Sequence, residues 1–201
     1  MQSNFSVMVK EIANLKKQKR KGWIIDGRSI NAKEVESVSD HSWATSIIAL
    51  LFLPETIEVS YNSDMCLYDK DRIIRMLIIH DLAESYIGDI PFGFKNAADK
   101  EREKQRFLYY SSLADDQMMS YLKEVNELWS EFELLESFNS KVAKDIDQIE
   151  GFIQLLIYKD RLIKRNGAVS WKNLVMEWKK NITIRTSIGQ LLYNKVDEMI
   201  C

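Results

Sequence analysis

The chain has 201 residues, 46% hydrophobic and 29% charged, with 7 glycines and 2 prolines. That composition suits one compact, mainly helical domain, and excludes both disorder and a large, turn-rich sheet. Its 28 basic residues nearly cancel 30 acidic ones, leaving a net charge of -2, so no global field draws it onto polymeric DNA or RNA.

Lys10 and Glu11 interrupt the apolar residues of the first turns. Neither a signal peptide nor a membrane span is drawn there, and a cytoplasmic location is the expectation. Cys66 and Cys201 are too few and too far apart in sequence for a disulfide framework or a CxxC zinc site. Cys66 is read as a buried or half-buried spectator, and Cys201 carries no assignable role.

Phe5, Met8, Val9, Ile12 and Leu15 recur at spacings of three and four, which predicts an amphipathic helix over 4–19. The run Lys16, Lys17, Lys19, Arg20 and Lys21 suits a solvated helix end, favoured there by the helix dipole. From 22 to 38 the period is lost, and Gly27, Asn31 and Ser37 predict a surface loop. Ser39 is a good cap for a second helix through Ala44, Ile47, Ile48 and Leu51, which Pro54 stops. A third covers 69–86, with Ile73, Ile74, Leu77 and Ile78 inward and Gly88 as terminator. After a loop over 88–96, charged helices follow at 97–115 and 116–134. Val142, Ile146, Ile149, Ile153, Leu156 and Ile157 mark a packed helix over 138–158, and a last pair spans 171–180 and 185–199, parted by Asn181. The expectation is an all-α, single-domain bundle over 1–201, with its core in 5–160 and the helices of 171–199 packed on it.

Histidine occurs only twice, each time beside an aspartate, as Asp40-His41 and His80-Asp81. A lone histidine on a core helix is more often a satisfied structural residue than a ligand. His80 and Asp81, however, follow the apolar run Met76-Leu77-Ile78-Ile79, where a buried charge is costly unless paired or bound to metal. Asp147 repeats the anomaly between Ile146 and Ile149, with Glu150 one turn further on. One divalent cation held by His41, His80, Asp81 and Asp147 satisfies these groups together, and mixed nitrogen and oxygen donors suit Mn, Fe, Co, Ni or Zn rather than Ca. Glu84, four residues after His80 and three after Asp81, projects from the same side of the helix and can reach the metal's water without being a ligand. Its competing reading is an ion pair with a nearby cation.

In chain order, Gly22-Trp23, Glu36-Ser37-Val38-Ser39-Asp40-His41-Ser42, His80-Asp81-Leu82-Ala83-Glu84, Gly88-Asp89-Ile90 and Lys144-Asp145-Ile146-Asp147-Gln148 form a recognisable set. Together they resemble the H…HD…D signature and flanking motifs of the HD-domain phosphohydrolases, in their 5'-deoxynucleotidase branch. The resemblance runs over residues 5–160 and is less marked in the C-terminal helices. It implies an HD-type helical bundle, the four metal ligands above, and hydrolysis of deoxyribonucleoside 5'-monophosphates to deoxynucleoside and phosphate. It also implies that Glu84 and Asp89 are the catalytic carboxylates and that Arg20 and Trp23 close over the phosphate and the sugar. An arginine fork suits phosphate oxygens, and an indole offers a rigid wall against which a missing 2'-hydroxyl can be sensed. Asp89 after Gly88 also fits an ordinary turn residue, and Trp23 an aromatic packing the loop onto the bundle. Lys19, Lys21 and Arg28 are rival phosphate contacts. The longer interval from Trp23 to His41, and Phe92-Gly93 after Pro91, depart from the family's pattern.

Two further readings keep the metal site. One is a phosphohydrolase acting on a cyclic nucleotide, an alarmone or another small phosphomonoester; the other is a non-catalytic, metal-binding helical interaction protein. Glu84 and Asp89 argue against the second, since a structural site needs only its ligands. The expected partner is a small nucleotide, with no polymeric nucleic acid and no membrane. The resemblance also implies a homodimer, for which Trp129, Phe132, Leu134 and Leu135, close together, offer an apolar patch.

Overall fold

The computed structural model describes residues 3–25, 30–56, 60–61, 64–65, 68–91, 93–114 and 121–200. Gly27, Arg28, Cys66, Phe92 and Cys201, on which parts of the sequence reading rest, lie outside the described residues. The architecture is all-α. Its helices are α1 Asn4–Leu15, α2 Val38–Phe52, α3 Lys70–Ile79, α4 Glu84–Ile87, α5 Ala97–Ser112, α6 Leu122–Leu134, α7 Phe138–Ile157, α8 Lys159–Asn181 and α9 Ser187–Glu198. A 3-10 turn at Lys21–Trp23 and a two-residue antiparallel pair, β1 Ser60–Tyr61 with β2 Asp64–Met65, are the other regular elements described. No helix of the described residues is long and apolar enough to cross a membrane.

Helix α7 is the hub, packing against α2, α3, α6, α8 and α9. One core cluster joins Ala49 and Leu53 of α2 and its end to Ile73, Met76 and Leu77 of α3, Phe132 of α6, and Val142 and Ile146 of α7. Each fully buried aliphatic side chain contributes about 1.5–3 kcal/mol. A second cluster lies beneath the C-terminal helices, where Phe152, Leu155 and Tyr158 meet Trp23, Val35, Trp171 and Val175.

Several expectations need correction. Helix α2 is capped by Ser37 rather than Ser39: Ser37 Oγ accepts from Asp40 N at 3.2 Å while Asp40 Oδ2 accepts from Ser37 N at 2.7 Å, a reciprocal capping box. Its buried face is also not the apolar stripe. His41, Ser42, Thr45, Ser46 and Ala49 turn inward, whereas Trp43, Leu50, Leu51 and Phe52 are exposed. Small side chains allow close approach to α3 and α7, and the buried hydroxyls are satisfied locally, Ser42 by Val38 O and Ser46 by Ser42 O. In α1, Glu11 and Leu15 face in while Phe5, Val9 and Ile12 are exposed. Glu11 is turned inward by Arg106, Ser85 and Tyr110.

The helix expected over 69–86 is broken. Helix α3 ends at Ile79, with Met76 buried and Ile78 exposed, and α4 starts at Glu84. The C-terminal half differs too, because α8 starts at Lys159 and is kinked at Gly167, whose φ is +83°. The apolar patch expected at Trp129, Phe132, Leu134 and Leu135 is largely interior, because Trp129 stacks on Phe107 and Phe132 lies against His80. Leu134 alone of the four is exposed, and Leu135 is half-buried.

Candidate metal centre

The box at Ser37 sets the phase of α2 so that His41 faces α3 and α7. At the end of α3, His80 Nδ1 lies 2.8 Å from Leu77 O. A carbonyl only accepts, so Nδ1 carries a proton and Nε2 is the nitrogen turned toward the centre. Beyond His80 the chain tightens into bonds three residues apart, from Leu82 N to Ile79 O and from Glu84 N to Asp81 O, at 2.9 and 3.0 Å. Side chains three apart eclipse in such a turn, so Asp81 and Glu84 share an edge. Helix α7 supplies Lys144, Asp147 and Glu150, whose spacing of three keeps them neighbours on its surface.

His41 Nε2 lies 3.3 Å from His80 Nε2 and 3.1 Å from Asp147 Oδ1. Asp81 Oδ2 is 3.2 Å from His80 Nε2 and 3.9 Å from His41 Nε2, and Asp147 Oδ1 is 3.8 Å from His80 Nε2. His41, His80 and Asp147 thus each present an atom within 4.8 Å of the other two, and Asp81 Oδ2 stands beside the pair of imidazoles. Each is also oriented from outside. Glu150 Oε2 holds His41 Nδ1, Leu77 O holds His80, Arg20 Nη1 meets Asp81 Oδ2 at 3.3 Å, and Lys144 Nζ meets Asp147 Oδ2 at 2.9 Å.

Two imidazole nitrogens and two carboxylate oxygens packed this closely call for positive charge among them. The proton affinities record that demand. Burial and Arg20 push His41 down, yet Glu150 and Asp147 carry it up to about 10. Burial likewise opposes ionisation of Asp147, but Lys144 and the imidazoles hold it well below the usual carboxylate range. Asp81 is lowered against burial by His80, Arg20 and His41. A divalent cation answers the same demand, and this donor set fits a first-row transition ion or zinc.

Glu84 is 4% exposed, and its Oε2 has no hydrogen-bond partner among the described residues. Burial, then Asp81 and Asp89, raise it well above the usual range. Asp89 is buried and accepts from Lys21 N at 2.6 Å. Burial raises it too, against Arg20 and that N–H. Gly88, at φ +82°, makes the turn that aims Asp89; a side chain there would be strained and would meet Lys21 Nζ.

Arg20 is brought to the centre and Trp23 is not. Trp23 is 3% exposed, stacked on Trp178 at 5.4 Å and edge-on to Tyr158, and its Nε1 donates to Glu36 Oε1 at 3.0 Å. Of the rival cations, Lys19 Nζ is 2.6 Å from Val35 O and Lys21 Nζ stands beside Gly88. Sequence reasoning assigned no role to Glu150, Lys144 or Glu36. For the first two the signal was their spacing of three from Asp147. Glu36, which burial and Glu150 push up to about 7, left no such trace.

A model of the HD domain matches residues 12–186. The chain belongs to the HD domain family. This HD-family chain is 33% identical over 159 residues to the 5'-deoxynucleotidase HDDC2 of Danio rerio, covering 78% of this chain and 70% of that protein. It is 32% identical to the Xenopus laevis protein of the same name, over 79% of this chain and 71% of the relative. Among solved structures, a predicted metal-dependent phosphohydrolase from Magnetospirillum magnetotacticum superposes with a TM-score of 0.66 at 23% identity, covering 98% of this chain and 91% of that one. A conserved hypothetical protein from Pyrococcus furiosus gives 0.61 at 24% identity, covering 96% and 98%. At those identities the solved structures speak for the fold.

Proposed function

We propose that this HD-family protein is a metal-dependent phosphomonoesterase that hydrolyses deoxyribonucleoside 5'-monophosphates to deoxynucleoside and phosphate. The relatives named 5'-deoxynucleotidase support the substrate class. The observation that carries the chemistry is the convergence of His41, His80 and Asp147, with Asp81 beside the imidazoles, together with a buried carboxylate whose Oε2 has no partner among the described residues.

In this reading His41, His80, Asp81 and Asp147 hold one divalent ion of the Mn, Fe, Co, Ni or Zn class. Such an ion supplies charge neutralisation at a phosphoryl oxygen and lowers the pKa of water. Phosphoryl transfer asks the protein chiefly for alignment and charge, not for a nucleophile of its own. Glu84 takes the proton of the attacking water at Oε2, the buried oxygen with no other partner among the described residues. Asp89, fixed by the Lys21 N–H, is the second catalytic carboxylate and faces the departing 5'-oxygen. Arg20 presents its fork to the phosphate. Trp23 serves the substrate as anchor of the Arg20–Trp23 turn, since a ring so enclosed reaches a sugar only if that turn swings out.

The small nucleotide is the partner, in a cytoplasmic setting consistent with so few cysteines. Self-association as a homodimer is part of the proposal, with the exposed Trp43, Leu50, Leu51 and Phe52 of α2 as its apolar face; a monomer by light scattering at high concentration removes it. The central test is Glu84→Gln with added Co or Mn. A loss of about 10²–10⁴-fold in kcat is expected on deoxynucleotide substrates, and undiminished turnover removes the mechanism. A panel including cyclic nucleotides and alarmones separates the alternatives, because a monoesterase releases inorganic phosphate from a deoxynucleoside 5'-monophosphate, whereas the product of a phosphodiesterase retains its phosphate.

A further inference from the structure

We infer that Lys144 is a second phosphate-binding cation at the metal centre, in the same role as Arg20, so that one cation attends each ligand carboxylate. The inference rests on the phosphomonoesterase reading and adds a substrate contact to it.

Exposure gives the direction of approach. The His41 and His80 side chains are 0% and 1% exposed, those of Asp81 and Asp147 are 15% and 16%, and those of Arg20 and Lys144 are 24% and 28%. The centre is therefore closed on its imidazole side and open on its carboxylate side. A substrate arriving from solvent meets the guanidinium and the ammonium first. Lys144 Nζ is 2.9 Å from Asp147 Oδ2 and 4.4 Å from the Phe132 ring centroid, which holds the ammonium at the mouth with no second ion-paired carboxylate among the described residues.

Charge points the same way. Two ligand carboxylates offset a divalent ion, so a phosphate dianion entering that neutral centre requires two more positive charges nearby. Arg20 on Asp81 and Lys144 on Asp147 are the lysine and arginine ion pairs made by ligand carboxylates among the described residues. An ammonium has three donors, and the bond to Asp147 uses one of them.

The plain alternative is that Lys144 merely orients Asp147, an ordinary pair one helical turn apart. The two roles differ in sign at the metal. A positioning lysine weakens metal binding when removed. A phosphate-binding lysine leaves metal binding unchanged or slightly tighter, since it withdraws a cation from a ligand, and weakens phosphate instead.

The test is calorimetric titration of wild type, Lys144→Met and Lys144→Arg, first with Mn alone and then with inorganic phosphate at saturating Mn. Methionine keeps the apolar stem over Phe132, and an unchanged thermal unfolding profile certifies each variant. Phosphate affinity is expected to fall about 10–100-fold in Lys144→Met, the loss of one charged hydrogen bond, and to return in large part in Lys144→Arg. Unchanged phosphate affinity in Lys144→Met at saturating Mn overturns the inference. Inorganic phosphate carries no nucleoside, so a protein that passes this test yet leaves deoxynucleotides intact retains Lys144 as a phosphate ligand and loses only the substrate assignment.

Discussion

Asp145 and Asp147 stand two residues apart on α7, so they leave the helix on opposite sides and meet opposite surroundings. Asp145 is fully buried and accepts from Arg185 N and Thr186 N, both at 2.8 Å, and from Thr186 Oγ1 at 2.7 Å. Gly189 of α9 packs so closely that a Cβ there would overlap the carboxylate. Asp147 meets the Nε2 of His41 and one ammonium. The first carboxylate is saturated by donors and clamps α9 to α7. The second, held by one ammonium and one imidazole, keeps its Oδ1 beside the Nε2 atoms of both histidines, where a metal ion would be shared. Residue type and helix do not separate these roles; the groups that face each oxygen do.

The comparison breaks most visibly in activity. Asp147→Asn is expected to lower kcat/KM by about 10³-fold or more, matching the several kcal/mol that a metal contributes to charge stabilisation. Wild-type turnover in that variant at saturating Mn would dissolve the distinction. Next comes stabilisation by metal. At about 100 times its dissociation constant, Mn should add about 2.7 kcal/mol to unfolding free energy in wild type and Asp145→Asn, and far less in Asp147→Asn. Equal thermal shifts in all three would place the cation elsewhere. Then comes the clamp itself. Asp145→Asn should cost about 2 kcal/mol in urea unfolding, since a neutral amide cannot accept all three donors, while turnover per folded molecule at saturating Mn stays near wild type.

The sequence made some of this legible and hid the rest for identifiable reasons. His80, Asp81 and Asp147 stood out because charge inside an apolar run needs an explanation, and the fold brings their donor atoms together with that of His41. Asp145 looked no different from Asp147, because its donors lie 40 residues on, at Arg185 and Thr186. The inward face of α2 escaped notice because packing selected small residues around His41 over the more apolar stripe. The break after Ile79 was masked by a period that runs smoothly on to Tyr86. Trp23 could be read as a sugar wall because its stacking partner, Trp178, comes from a C-terminal helix with no motif.

The smallest expected effect sharpens the comparison through pH. Burial raises Asp145 above the ordinary carboxylate value of 3.8, outweighing Thr186 and the two N–H groups that favour its charge. A group with a raised folded pKa binds its proton more tightly when folded, so its contribution is full below 3.8 and declines as pH climbs through the folded value. Asp147 is lowered, so its contribution is present above the usual carboxylate range and is lost as pH falls. In metal-free protein, the stability difference between wild type and Asp145→Asn should therefore shrink with rising pH, while that between wild type and Asp147→Asn should grow. Urea unfolding across about pH 2 to 7 reads both slopes, that of Asp147 below about pH 4 and that of Asp145 above it. A difference for Asp145 that grows with pH would mean that its three donors outweigh its burial. The clamp would then prefer the charged carboxylate, as the metal centre does, and the two aspartates would differ only in where their positive partners come from.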